Sequence, residues 1–484
     1  MKSSSVFRCR PAFGRCALVW SAMSLTLQAT TESLHSQSGG PLDSARKSVV
    51  EVSFWHAMGG PLGRELNAMI RDFELEHPGI RVNAVSMGDY GSLAQKLMSA
   101  LWVQKPPTCA QMYESWTTQF FEAGELYPIE SLIPASPDGL TLIHDIYPVL
   151  LESNSWNGQL VTLPFNKSVP CYYYNLRRFD SLGIQQFPRT WQEFRARAKQ
   201  LTRRASSLKD WVWGTAGGVN ASVFTSMLLA HNGQLLDDQG RARFAESAGV
   251  DVLTLQCDMI LRDSSQVFSV GYSGQDDLLA GRIGMIYGTS VSRAFIRPKA
   301  TFPVGMAPLP AWDRRAAIIQ GTNIGLFRRS TPAEKAAAWE FIKWFIAPEQ
   351  QARWARATFY VPVCRRALEI PEFRAQLDSV PGWGECVAQL DWGVFEPKSR
   401  VWFEGRKILD SGLEPALRGL LSPEEALRLA AAQMAPPALA QGRIGFFVLI
   451  GFMVLGASAA CVRVSVCSRS RPEGCSHPRR TRHT

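Results

Sequence analysis

The apolar positions near the start of the chain follow a strand pattern, then a helix pattern, then a strand pattern again. β-Branched and aromatic residues predict a strand over 49–55. Apolar residues then recur at helical spacing from Leu62 to Phe73, which predicts a helix over 61–76. Alternation over 80–86 predicts a second strand. Strand, helix and strand in this order form a βαβ unit, which favours a parallel sheet with helices on its faces.

Comparable patterns continue to residue 434 and predict an α/β protein. Residues 50–434 exceed the usual size of one domain, so we expect two lobes. Two helix starts have recognisable caps, at Thr331 and at Ser422, each followed by proline and then glutamate. The remaining predicted strands are 109–113, 171–175, 283–287 and 317–327, and the remaining predicted helices are 91–104, 190–203, 222–232, 246–262, 275–280, 332–347, 349–357 and 422–433.

The two ends of the chain have the features of targeting segments. A basic head, a short apolar run and a small residue at Ala29 predict a signal peptide over 1–29, and therefore export. Residues 444–462 carry no charge and are long enough for a transmembrane helix. Arginines dominate residues 463–484, so the positive-inside rule predicts a cytoplasmic tail and a periplasmic protein anchored to the cytoplasmic membrane by the C-terminal helix.

The formal net charge of +10 comes from these two ends. Between Thr30 and Gly442 the chain has 41 basic and 41 acidic residues. A nucleic-acid-binding protein needs a surplus of positive charge on its folded part, so we predict no nucleic-acid partner.

Cysteine spacing and catalytic motifs give little support for an enzyme. The middle of the chain has five cysteines, an odd number that leaves at least one thiol free, with Cys364 and Cys386 the closest pair. No phosphate-binding loop, zinc-protease helix or nucleophile elbow occurs, and no cysteine spacing suits zinc, so we predict no metal, no cofactor and no catalytic residue. His56 follows the first strand without a nucleophile to pair with, and we interpret it as a loop or ligand-rim residue.

Several phrases of the sequence resemble one bacterial family in their order. The stretch FWHAMGGPLGRELNAMIRDFELEHP, residues 54–78, is similar to the opening of the periplasmic binding proteins for sn-glycerol 3-phosphate and glycerophosphodiesters, which are extracellular solute-binding proteins of ABC importers. The phrases that follow in family order are LPFNKSVP at 163–170, TWQEF at 190–194, AGRIGM at 280–285, FIAPEQ at 345–350 and FYVPV at 359–363, and Arg406 stands 16 residues before Ser422.

This resemblance implies a periplasmic-binding-protein fold of the Venus flytrap type II, with two lobes joined at a hinge. Lobe 1 would comprise residues 48–163 and 315–355, and lobe 2 would comprise residues 168–312 and 356–434.

The resemblance also implies a set of ligand contacts. Glu114 would accept hydrogen bonds from glycerol hydroxyls, with Tyr90 beside it, and Arg406 would bind the phosphate. Residues that would surround the phosphate with Arg406 are Ser168, Thr289, Gly321 and Tyr360, and weaker candidates are Asn166, Trp55 and Trp116. A fork of donors from arginine, with hydroxyls and backbone N–H groups, suits an anion.

The chain departs from the family at three places. Thr289 replaces a serine, and Lys167 replaces a small polar residue and could add positive charge near the phosphate. The family's tryptophan-rich loop reads as glycine-rich residues 214–220, so an enlarged pocket could admit a diester, with Trp116, Trp213 or a tyrosine against a quaternary ammonium.

From these features we predict the substrate-binding subunit of an ABC importer for glycerol 3-phosphate or a glycerophosphodiester such as glycerophosphocholine. Its partners would be the small-molecule phosphate ester, the permease subunits with their ATPase, and the membrane. One alternative keeps the fold and takes a sugar or oligosaccharide as ligand, and another is an exported phosphodiester hydrolase.

Overall fold

The computed structural model describes residues 49–271 and 273–434, which form two β-sheets with helices packed on them. The strands are β1 Val50–His56, β2 Ile80–Ser86, β3 Cys109–Met112, β4 Leu126–Tyr127, β5 Ser155–Trp156, β6 Gln159–Leu160, β7 Leu163–Ser168, β8 Pro170–Asn175, β9 Trp213–Gly217, β10 Gln266–Phe268, β11 Ile283–Thr289, β12 Val304–Pro308 and β13 Gln320–Phe327. The α-helices are α1 Gly60–Glu76, α2 Tyr90–Trp102, α3 Glu114–Glu122, α4 Gly139–Asp145, α5 Pro148–Ser153, α6 Leu176–Ser181, α7 Trp191–Leu201, α8 Ala221–Ala230, α9 Ser247–Cys257, α10 Ser273–Leu279, α11 Arg293–Ile296, α12 Pro332–Ile346, α13 Pro348–Thr358, α14 Pro371–Ser379, α15 Trp383–Val387, α16 Arg400–Leu417 and α17 Pro423–Gln433.

The first sheet has the strand order β2-β1-β3-β13-β4, and β7 also pairs with β13. β1 runs parallel to β2, with Val50 opposite Ile80, and parallel to β3. The predicted parallel βαβ unit is therefore confirmed. α1 begins with Pro61 in its first turn, ends before Pro78, and buries the apolar face that includes Leu66 and Phe73.

The second sheet has the strand order β10-β9-β11-β8-β12. β9, β10 and β11 are parallel to one another, whereas β8 is antiparallel to both β11 and β12. α7 packs on β9 and β11, and its buried Phe194 contributes to a core that also includes Phe224 and Trp402. We call each sheet with its packed helices a lobe, the first lobe and the second lobe.

The chain passes between the lobes at identifiable points. β7 belongs to the first sheet and β8 to the second, so the first passage lies at Val169. The chain returns between β12 and β13, and passes again between α13, which packs on α1, and α16, which packs on α8, α9 and α17. α16 also contacts α3 of the first lobe, and the side chains of Arg400 and Glu122 form an ion pair there.

Most predicted elements are present within a few residues of their predicted bounds. The predicted helix over 246–262 is α9 followed by a π-helical turn over Asp258–Arg262. The elements without a prediction include β7, β9, β12, α3 and α16. β7 and β9 contain proline, asparagine or glycine inside short buried strands, which weakens the alternation that identifies a strand.

Three predictions lie outside the described residues: the signal peptide at 1–29, the transmembrane helix at 444–462 and the cytoplasmic tail at 463–484. Among the helices that the structure describes, none combines the length and the apolar character that a membrane span requires.

The five cysteines of the described range are all free thiols, so Cys364 and Cys386 do not form a disulfide. The buried thiol of Cys386 instead lies beside that of Cys171, and burial, with Cys171 adding to it, raises the pKa of Cys386.

Candidate functional site

Two tyrosines predicted as ligand contacts lie together in the first lobe. Tyr90 is the first residue of α2, directly after Asp89, whose carboxylate accepts a hydrogen bond from the Ser92 backbone N–H. The Tyr90 hydroxyl accepts a hydrogen bond from the Asn166 side-chain amide at 3.1 Å and interacts with the Tyr360 hydroxyl. Burial raises the pKa of both tyrosines, so both hydroxyls are neutral hydrogen-bonding groups at neutral pH.

Glu114 begins α3 and is bound by a buried lysine. Its Oε1 accepts hydrogen bonds from Lys167 Nζ at 2.9 Å and from the Asn323 side-chain amide at 3.2 Å. The Lys167 side chain is only 1% exposed, and a buried ammonium of this kind requires a counter-charge. The sequence predicts that Lys167 adds positive charge near a phosphate, and the structure shows that this charge is paired with Glu114. Its effect on a bound phosphate stays a prediction.

Ser168 and Gly321 lie on the paired strands at the passage between the lobes. Ser168 is buried and opposes Gln320, and Gly321 opposes Lys167. Gly321 has φ +101°, and a Cβ there would lie 1.9 Å from the Asn166 carbonyl oxygen. Glycine is therefore required at this position by close backbone packing.

Arg406 projects from α16 of the second lobe and already has two side-chain partners. Its Nη2 donates to Ser222 Oγ at 2.8 Å, and its Nη1 lies 3.0 Å from Glu396 Oε1. The other oxygen of Glu396 accepts a hydrogen bond from Trp402 Nε1 at 2.8 Å. Glu396 Oε1 is buried and makes no hydrogen bond of good geometry, although it is close to the guanidinium.

Burial raises the pKa of Glu396, with Arg406 opposing that shift. Burial is the largest single influence and alone would lower the pKa of Arg406, but the charges of Glu396, Tyr113 and Asp410 together outweigh it and the pKa is raised. Arg406 therefore stays charged, and its charge is partly compensated before any ligand arrives.

Tyr113 is a site residue that the sequence prediction missed. Burial raises the pKa of its hydroxyl, and Tyr90, Arg406, Glu114 and Glu396 all contribute to its electrostatic environment. It thus lies among groups from both lobes. Its position next to Glu114 in the chain was the available signal.

Two cavities meet at Arg406. One, of about 420 Å³, is lined mainly by the second lobe, with Gly217, Gly218, Thr289 and an apolar wall, and also by Gln320 of β13. The other, of about 160 Å³, lies between Tyr113, Glu114, Trp116, Glu396 and Trp402.

The predicted site residues are thus brought together in two groups. Glu114 and Arg406 share the smaller cavity, and Thr289 and Arg406 share the larger one. The predicted residues that line neither of these two cavities are Tyr90, Ser168, Gly321 and Tyr360.

Among the other residues considered, Asn166, His56 and Trp213 have mainly packing roles, whereas Trp116 lines the smaller cavity. Asn166 Oδ1 accepts hydrogen bonds from Gln111 and Thr322, and its amide donates to Tyr90. His56 is buried and accepts a hydrogen bond on Nδ1 from the Met58 backbone N–H. Trp213 packs against Trp211 with ring centroids 4.9 Å apart.

Comparisons with known proteins agree on one family. Residues 68–377 match the family of bacterial extracellular solute-binding proteins. The sn-glycerol-3-phosphate-binding periplasmic protein UgpB of Yersinia pseudotuberculosis is 26% identical over 78% of this chain and 90% of its own length, and that of Escherichia coli K12 is 25% identical over 79% and 91%.

Two solved structures show the same fold with different ligands. UgpB from Mycobacterium tuberculosis, in complex with glycerophosphocholine, has a TM-score of 0.71 at 22% identity over 79% of this chain and 97% of its own. Maltose-bound MalE3 of Thermotoga maritima has a TM-score of 0.68 at 20% identity over 80% and 99%. The sequence match and the two lobes lead to one conclusion: the chain belongs to the bacterial extracellular solute-binding proteins, which serve ABC importers, and has the two-lobed fold of periplasmic binding proteins.

Proposed function

We propose that this protein captures a phosphate ester of glycerol, either glycerol 3-phosphate or a glycerophosphodiester, and delivers it to an ABC permease. The observation that carries the proposal is the convergence of Arg406 from the second lobe and Glu114 from the first lobe on one cavity. A guanidinium suits a phosphate, and a carboxylate suits the hydroxyls of glycerol.

The larger cavity supports a ligand bigger than glycerol 3-phosphate. It opens beside Arg406 where residues 217 and 218 are glycines, and a Cβ at Gly218 would lie 2.2 Å from the Ser269 carbonyl oxygen. The second lobe therefore offers room for the part of a diester that does not enter the smaller cavity. The ligand would close the lobes by hinge motion, and the closed form would be recognised by the permease.

A sugar is the second candidate ligand, because several structures of the same fold bind maltose or related oligosaccharides. Aromatic residues around the smaller cavity could pack against a sugar ring, and Arg406 is already paired with Glu396. Binding without turnover is proposed in both cases, and intact recovery of glycerophosphocholine after incubation would distinguish a binder from a hydrolase.

Titration calorimetry with glycerol 3-phosphate, glycerophosphocholine and maltose tests the proposal. We expect at least one phosphate ester to bind and maltose to give no heat of binding. Binding of maltose alone would overturn the phosphate-ester proposal and support the sugar alternative.

We also propose that residues 444–462 anchor the protein to the cytoplasmic membrane, on the strength of their length and of the arginines that follow. The full-length protein should then stay with membranes in carbonate and dissolve in detergent, and a chain ending before Pro436 should be released. Recovery of the full-length protein in the soluble periplasmic fraction would contradict the proposed anchor.

A further inference from the structure

The fixed charges around Arg406 indicate a narrower ligand class, an inference that rests on the proposed function. Arg406 is the main donor for an anion, yet its Nη1 lies 3.0 Å from Glu396 Oε1. A phosphate that binds Arg406 therefore approaches a carboxylate as well.

Glu396 is held in this position from two sides. Trp402 Nε1 donates to its Oε2 at 2.8 Å. The loop that carries Glu396 also pairs with residues 317–319, which lead from β12 to β13. The Val394 N–H donates to the Ala317 carbonyl, and the Ile319 N–H donates to the Val394 carbonyl. The carboxylate is thus preorganised beside Arg406.

The neighbouring charges supply no surplus of positive charge. Lys167 is paired with Glu114, and Asp410, one helical turn after Arg406, accepts a hydrogen bond from the Ala221 N–H at 2.7 Å. Lys407 at the rim of the smaller cavity is paired with Glu404.

Lys398 is the next cation outward, and it donates to two backbone carbonyls, those of Glu152 and Ser155. When Lys398 is counted together with Glu152, the carboxylate that acts on it most strongly, three cations (Arg406, Lys167 and Lys398) face four carboxylates (Glu114, Glu152, Glu396 and Asp410). The cleft is therefore at best neutral.

Ligands differ in how they fit such a cleft. A phosphate monoester carries about −1.5 to −2 charges at pH 7, which Glu396 would repel. A diester carries one negative charge, and a cationic head group cancels it. The smaller cavity offers such a cation the Glu396 carboxylate and the aromatic rings of Tyr113, Trp116 and Trp402.

We propose that Glu396 determines specificity, so that the site takes zwitterionic glycerophosphodiesters with a cationic head group in preference to phosphate monoesters. The carboxylate and Arg406 together form a dipolar site that matches the two opposite charges of the ligand. Glu396 acts here by direct contact with the ligand's cation.

The test compares three ligands by titration calorimetry on the full chain: glycerophosphocholine, glycerophosphoglycerol and glycerol 3-phosphate. The wild-type protein should bind glycerophosphocholine at least ~10-fold more tightly than either of the others. Glu396→Gln keeps an acceptor for Trp402 but removes the charge. It should weaken glycerophosphocholine and strengthen glycerol 3-phosphate by ~10-fold each.

Glu414→Gln is the matched control, because Glu414 lies on α16 in an exposed pair with Arg418. It should leave all three affinities unchanged. An unchanged affinity ratio in Glu396→Gln, or equal wild-type affinities for the two diesters, would overturn the role of Glu396. The comparison of the two diesters on wild-type protein requires no substitution and so does not depend on the stability of the variant. Failure of every phosphate ester to bind, with maltose binding, would instead overturn the proposed function.

Discussion

The two cation–carboxylate pairs of the cleft have the same chemistry but different surroundings. In the first lobe, Lys167 is 1% exposed and Glu114 is 13% exposed, and one carboxylate oxygen accepts hydrogen bonds from both Lys167 and Asn323. In the second lobe, Arg406 is 39% exposed, and the nearer oxygen of Glu396 makes no hydrogen bond.

This difference separates a pair that holds a buried ammonium from a pair that is open to the cleft. The protein itself supplies the counter-charge of the Lys167 ammonium through Glu114. In the second lobe, Arg406 is partly exposed and borders two cavities, so a ligand can bind its guanidinium. Substitutions in the first pair should therefore affect folding most, and substitutions in the second pair should affect binding most.

Removal of the buried ammonium should have the largest effect. Lys167→Met leaves Glu114 without its counter-charge, and we expect the free energy of unfolding to fall by about 3–5 kcal/mol, measured by urea denaturation. Arg81→Met, in an exposed pair with Glu74, should cost less than about 1 kcal/mol. The double variant Lys167→Met/Glu114→Gln should recover part of the loss. A cost for Lys167→Met no greater than that of the control would remove the distinction between the two pairs.

Removal of the guanidinium should mainly reduce ligand binding. We expect Arg406→Ala to lose about 2–5 kcal/mol of binding free energy, which is ~30- to 5000-fold in affinity, measured calorimetrically with glycerophosphocholine. Arg406→Lys should recover only part, because an ammonium cannot reproduce the planar fork. The loss in unfolding free energy should be smaller than for Lys167→Met. Wild-type affinity in Arg406→Ala would show that the phosphate binds elsewhere.

His56 tests the effect of burial on a titratable group of the first lobe that has no counter-charge. Burial lowers the pKa of His56 from 6.5 to about 4. The unfolded chain therefore binds the proton more readily, and stability that is complete above pH 6.5 should be lost as the pH falls towards 4. The contribution is about 3 kcal/mol.

Urea denaturation at pH 7 and pH 4 measures this contribution. The pH dependence of the unfolding free energy should shrink by that amount in His56→Gln, whereas His144→Gln reports the effect of losing an exposed imidazole. An identical pH dependence in wild type and His56→Gln would contradict the prediction.

The smallest effect should come from the second partner of Arg406. Ser222→Ala removes the hydroxyl that accepts from Nη2, but leaves the guanidinium paired with Glu396. One hydrogen bond is worth about 1 kcal/mol, so affinity for glycerophosphocholine should fall ~5-fold. Ser379→Ala, on exposed α14, should have no effect. A loss as large as that of Arg406→Ala would mean that Ser222 contacts the ligand itself.

The sequence predicted the helices and strands of this molecule better than the ion pairs and hydrogen bonds of its cleft. The βαβ unit from β1 to β2 could be predicted because apolar spacing and the proline boundaries are local. The ligand contacts were placed by resemblance, and whether Tyr90, Glu114, Ser168, Thr289, Gly321, Tyr360 and Arg406 bind the ligand stays a prediction, as do the lobe boundaries.

Glu396 could not be predicted from the sequence. It lies in a loop without periodicity, and it meets Arg406 only because that loop pairs with residues 317–319. The pairing of Lys167 with Glu114 likewise depends on β7, a strand with no recognisable alternation. Charge partners that are distant in the chain leave no local pattern.

The contact between α16 and α3 affects how much ATP the importer hydrolyses for each ligand that it transports. The ion pair between Arg400 and Glu122 joins the lobes without any ligand, so it favours closure of the empty protein. Because these two side chains are 59% and 45% exposed, their pair contributes at most about 1 kcal/mol, or ~5-fold in the closed population. A permease that hydrolyses ATP on meeting a closed binding protein would hydrolyse ATP without transport whenever that protein was closed but empty. The weakness of this ion pair therefore limits ATP hydrolysis without transport, and a stronger contact between α16 and α3 would increase it.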